Sequence, residues 1–94
     1  MTGKERAKLR SMANTIQPIF QIGKGGVGEA MLEQLGMALD ARELIKITVL
    51  ETADVTAREA CGILCEALEA EPVQCIGRKV TIYRRNEKEP KIQL

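Results

Sequence analysis

Aromatic side chains are nearly missing from this chain of 94 residues: it has one Phe (Phe20), one Tyr (Tyr83) and no Trp. Proteins that grip single strands by stacking each base on an aromatic platform cannot be built from two rings. Histidine is absent altogether. A cysteine nucleophile would therefore lack an imidazole base. The three cysteines, Cys61, Cys65 and Cys75, would also lack the fourth ligand of a zinc site, and Cys61-x-x-x-Cys65 reads as one helical face. An odd cysteine count in apolar surroundings fits small buried thiols in a reducing cytosol. Long apolar runs are missing too. The longest, Leu44 to Leu50, is broken by Lys46 and is too short to span a bilayer. No apolar segment follows the charged start Lys4-Glu5-Arg6, so no secretory signal is expected. These absences point to a cytoplasmic chain without metal, cofactor, membrane anchor or catalytic residues.

What is present suits one small domain. The apolar share of 45% is ordinary for a globular fold. A chain of this length buries only about 60–65% of its unfolded surface, so the core is modest. Thr2-x-x-Glu5 is a capping-box pattern that opens a first helix, with Leu9, Met12, Ala13 and Ile16 as its apolar stripe and Pro18 as its stop. Residues 19–22 form a short strand. Val27 to Asp40 reads as a second helix, burying Val27, Met31, Leu35, Ala38 and Leu39. Leu44 to Leu50 is β-branched and reads as a central strand. Asp54 is the expected cap of a third helix with the stripe Ala57, Ala60, Cys61, Leu64 and Leu68, which Pro72 closes. Val73–Ile76 and Val80–Tyr83, around Gly77-Arg78-Lys79, form a hairpin. The order is α-β-α-β-α-β-β, an α/β fold with a four-stranded mixed sheet. Residues 1–85 make the domain and 86–94 a polar, loosely held tail.

Net charge is only +1, which taken alone argues against a nucleic-acid partner. Its distribution reverses that. Residues 1–24 carry +4, residues 25–73 carry −7 and residues 74–94 carry +4. Acids crowd the outer faces of the second and third helices, and bases crowd the first helix, the glycine turn and the hairpin. Should those basic elements adjoin, they form a phosphate-binding side.

Gly23-Lys24-Gly25-Gly26-Val27-Gly28 follows a strand and opens a helix, where free N–H groups favour an anion. It admits three functional readings besides that of a plain turn. As G-x-G-x-x-G, with Glu51 closing the next strand, it resembles a dinucleotide fingerprint, and a small nucleotide-binding protein is the alternative that this keeps open. Too few strands are present for the crevice such sites use. As a triphosphate loop it fails, because Glu29 and Ala30 stand where lysine and a hydroxyl belong. As a GxxG turn, Gly23 to Gly26 clamps a nucleic-acid backbone and needs no aromatic stacking.

Several separated motifs then agree with one family. Leu9-Arg10 with Ala13, Pro18-Ile19-Phe20-Gln21-Ile22-Gly23-Lys24-Gly25-Gly26, Arg42-Glu43-Leu44-Ile45-Lys46, Val73-Gln74-Cys75-Ile76-Gly77-Arg78, Tyr83-Arg84 and Pro90-Lys91-Ile92 resemble the CRM domain (chloroplast RNA splicing and ribosome maturation). The likeness is greatest to its stand-alone bacterial YhbY-type members. It implies a fold like the C-terminal domain of translation initiation factor 3. It also implies binding to ribosomal RNA of large-subunit precursors. Separately, the acidic faces of the second and third helices offer a surface for basic ribosomal proteins, and the chain is expected to be a monomer. Carried onto this chain, the RNA-binding residues are Gly23, Lys24, Gly25 and Gly26, then Lys4, Arg6, Lys8 and Arg10 on the two flanks of the first helix, with Lys46, Arg78 and Arg84. Family members often carry histidine where this chain has Asn14 and Arg42. Loss of charge at Lys24, Lys8 and Arg10 is expected to weaken RNA binding.

Overall fold

A computed structural model describes all 94 residues. Its elements are α1 (Gly3–Ala13), β1 (Phe20–Ile22), α2 (Glu29–Arg42), β2 (Leu44–Val49), α3 (Ala57–Leu68), β3 (Glu71–Ile76) and β4 (Lys79–Tyr83). This is the expected order. The four strands form one mixed sheet in the order β1-β2-β4-β3, with β1 parallel to β2 and the other pairs antiparallel. No helix is long and apolar enough to cross a membrane.

Strand alternation divides the core in two. Ile45, Ile47 and Val49 of β2, with Val80 and Ile82 of β4, face α2 and α3 and meet Leu35, Leu39, Ala60, Leu64 and Leu68. Leu44 and Tyr83 point the other way and meet Leu9 of α1, with Met12, Ile16, Val73 and Ile92 around them. Helices α2 and α3 therefore cover one face of the sheet, and α1 covers one end of the other. The exposed acids of α2 and α3 (Glu29, Glu33, Asp40, Glu59, Glu66) lie on the side away from α1.

Helix starts follow capping chemistry. Thr2 and Glu5 form the expected capping box. The third helix is capped by Thr56 and not by Asp54. Thr56 and Glu59 exchange reciprocal side-chain-to-backbone bonds, which Asp54, two residues too early, cannot make. The bond from the Thr56 N–H, with that of its hydroxyl, holds the Glu59 carboxyl below its ordinary pKa. Helix α2 starts at Glu29, two residues later than expected, because Gly28 is still extended.

Neither proline acts as a helix stop. Helix α1 ends at Ala13, well before Pro18, and Thr15 closes it through its N–H and hydroxyl on the Met12 carbonyl. Helix α3 ends at Leu68 because Glu69 turns left-handed (φ 53°, ψ 45°). Pro72 lies inside β3, an edge strand with a register shift between Pro72 and Gln74. An outward-facing N–H on an edge needs no partner, so proline is tolerated there.

Two further expectations are corrected. The cysteines are not all buried: Cys61 is, Cys65 is half-buried and Cys75 is exposed on β3. Nor is the segment after Arg85 loosely held. The carboxylate of Glu43, itself fully buried, accepts the backbone N–H groups of Asn86 (2.6 Å), Lys91 (2.7 Å) and Ile92 (2.6 Å). Burial alone would raise its pKa. The three donors and nearby Arg85 outweigh burial and hold it below the ordinary value.

Candidate nucleic-acid interface

The glycine turn is built at the end of β1. Gly26 N–H donates to the Gly23 carbonyl at 3.0 Å, closing a four-residue turn with exposed Lys24 at its tip. Gly25 (φ 104°) and Gly26 (φ 68°) both occupy the left-handed region, which a side chain would strain. A Cβ at either would meet nothing within 4 Å, so the space above the turn is open. Helix α2 begins three residues on, and its N-cap Gly28 has no side-chain cap bond. The first N–H groups of α2 therefore stay available to an anion, and Glu29 is the one acid of that first turn.

Strand register brings further bases to the same end of the sheet. Ile22 pairs with Val49, Thr48 with Lys79, and Lys79 with Ile76. The glycine turn, the Leu50–Ala53 turn and the β3–β4 hairpin turn therefore share one edge. Gly23 backs onto Leu50 and Thr52. Arg78 joins the hairpin to the neighbouring turn through Glu51, at 3.2 Å, with both side chains mostly exposed. Glu51, the acid of the dinucleotide reading, is thus engaged by Arg78. Lys24, Arg78 and Lys79 converge at this end, and half-buried Lys46 lies one row further along the same sheet face as Lys79.

Other candidate residues lie elsewhere. Arg6 ion-pairs with Glu71 (3.5 Å), at the far end of β3. Four strand steps, about 14 Å, separate that row from Lys79. Lys8 donates to the Gln93 carbonyl, and Lys4 and Lys8 together border the C-terminal segment. The two flanks of α1 thus differ. Lys4 and Lys8 face the C-terminal residues. On the other flank Arg6 reaches β3 at Glu71 and Asn14 reaches it at Gln74 (3.4 Å), with exposed Arg10 one turn from each. Arg84 does not join the interface. Its guanidinium donates to the carbonyls of Leu68 and Gly36 and to Asp40, all at 2.9 Å, tying α2 to α3.

Sequence reasoning missed Lys79, which it placed in the hairpin turn, and the polar strand residues Gln21, Thr48 and Gln74. Alternation with the core residues of β1 and β2 was the available signal for Gln21 and Thr48; in β3, where no residue is fully buried, Gln74 had none.

Comparison with known proteins agrees with this architecture. The solution structure of the hypothetical protein SAV1595 from Staphylococcus aureus, for which RNA binding is proposed, superposes with a TM-score of 0.80 at 44% identity, covering 100% of this chain and 98% of that one. The Bacillus subtilis protein named "Probable RNA-binding protein YqeI" is 38% identical over 94 residues, 100% of this chain and 98% of its own length. A Haemophilus influenzae protein named "RNA-binding protein" is 31% identical over 94 residues, 100% of this chain and 94% of its own. Residues 1–84 match the CRS1 / YhbY (CRM) domain. With its glycine turn, four-stranded sheet and three helices in this order, the chain belongs to the CRS1/YhbY (CRM) domain family.

Proposed function

We propose that this chain is a non-enzymatic RNA-binding protein that holds the phosphate backbone with its glycine turn. One observation carries the reading: an open turn of positive-φ glycines and an uncapped helix start lie beside Lys24, Arg78 and Lys79. Backbone N–H groups and mobile cations together fit phosphate, and without stacking rings the contacts position more than they read sequence. The names of the relatives support RNA as the ligand. The likeness to YhbY-type proteins favours ribosomal RNA of large-subunit precursors as the RNA, with assembly as the setting. Ribosomal proteins as partners, a cytoplasmic location and a monomeric state belong to the same reading.

Salt titration of RNA affinity tests it. Alanine at Lys24, Arg78 and Lys79 should weaken binding and flatten the log–log salt slope by about 0.7 per lost contact on a single strand. An unchanged slope in the triple variant would refute the surface. Saturable binding of NAD or ATP without RNA binding would overturn the function.

A further inference from the structure

One face of the sheet is left uncovered beside the glycine turn. The register places Gln21 of β1, Thr48 of β2, Lys79 of β4 and Ile76 of β3 in a single row across all four strands. Paired residues in neighbouring strands point to the same side. Val49, Val80 and Ile82 point to the α2–α3 core, so this row points away from it. Helix α1 covers the opposite end of that face, over Leu44 and Tyr83. Gln21, Lys79 and Ile76 are exposed and Thr48 is half-buried.

The row is unlike an ordinary solvated strand face in two respects. Ile76 stands 63% exposed on it, the most exposed of the large apolar side chains. Lys79 and Lys46, in this row and the next, enter no ion pair. The row is also continuous with the turn: Gln21 is two residues before Gly23 in the chain.

We propose that this row is a second RNA contact, which selects single-stranded RNA over DNA through the ribose 2′-hydroxyl. The inference rests on the RNA-binding reading and deepens it. A backbone held at Gly23–Gly26 and Lys24 enters the sheet over Gln21. Gln21 offers an amide donor and acceptor, and Thr48 a hydroxyl that does both. The 2′-hydroxyl likewise donates and accepts, and it is what distinguishes RNA from DNA at a site. These groups carry no charge and so add nothing to counterion release, and as paired donors and acceptors they match the 2′-hydroxyl and base edges that single strands leave open better than an acceptor-only phosphate. Lys79 takes a phosphate, and Ile76 packs against the apolar face of a sugar or base. The row spans three strand spacings, about 14 Å in length.

The test measures fluorescence anisotropy of a short mixed-sequence single-stranded RNA and its DNA counterpart at one salt concentration. The full chain should prefer the RNA. Gln21→Ala combined with Thr48→Val should cost about ten-fold in RNA affinity and under about two-fold in DNA affinity, two ordinary hydrogen bonds being involved. Gln21→Ala with Thr48→Ser restores a hydroxyl and should recover part of the preference. Should the double variant unfold, Gln21→Ala alone, on an exposed edge strand, should cost about three-fold for RNA only. Equal losses for RNA and DNA, or no loss for either, would overturn the row. RNA binding with a Lys24-dependent salt slope but an unaltered preference would remove this inference alone. Absence of RNA binding by the full chain would remove both readings.

Discussion

Ile92 donates its backbone N–H to the carboxylate of Glu43 at 2.6 Å, from 49 residues further along the chain. Glu43 is fully buried at a positive φ of 66°, and its own N–H returns to Leu39 as the end of α2. The same carboxylate holds Asn86 and Lys91. Ile92 in turn packs on Leu9, Leu44 and Tyr83, so Glu43 helps seat α1 on the sheet.

Glu43→Gln should therefore loosen the C-terminal segment and α1 together. Loss of charge-assisted bonds to a buried acceptor costs about 2–4 kcal/mol. Chemical denaturation gives the stability change. Hydrogen exchange should locate the lost protection at residues 86–92 and at Leu9.

Acid should reproduce that release. The pKa of Glu43 is lower folded than unfolded, so its contribution is full above the unfolded value, about 4.3, and fades as pH falls through the folded value. Amide signals of Lys91 and Ile92 should stay constant from neutral pH down to the ordinary carboxylate range and shift only below it. A shift centred near neutrality would contradict this.

Arg84→Lys tests structure against recognition at a residue that motif matching assigns to RNA. Lysine keeps the charge but cannot span Leu68, Gly36 and Asp40 at once. Stability should fall by about 2–3 kcal/mol, with the RNA salt slope unchanged. A normal melting temperature with a flattened slope would return Arg84 to the interface.

The glycine turn separates two roles of glycine. Gly25→Ala forces a side chain into φ 104° and should cost about 1–2 kcal/mol and weaken RNA binding. Gly23→Ala meets Leu50 and Thr52 only at ordinary contact distance, 3.5 and 3.7 Å, and should leave stability near the parent value. Thermal unfolding of the two variants checks the contrast.

Local chemistry was legible in the sequence, and distant chemistry was not. The Thr2–Glu5 box, the four strands and the glycine turn follow from patterns a few residues long. The third-helix cap was misplaced because Asp54 and Thr56 are both good capping residues, and only reciprocity with Glu59 decides between them. Arg84 was assigned to RNA and Glu43 to no role because their partners are long-range: groups of α2 and α3 for one, and backbone groups 43 to 49 residues away for the other. Residues 86–94 looked loose for the same reason, since their polar composition hides an anion-holding backbone. Lys79 was hidden by turn placement, which strand register resolves.

The alternation within β2 has a consequence for how this domain can fail. Ile45, Ile47 and Val49 face the core, while Lys46 and Thr48 face the opposite side. A slip of one residue would exchange the two sets, burying an ammonium and exposing isoleucines. Insertion or deletion within this strand would therefore disturb the core and the Lys46–Thr48 face together, because one register sets both.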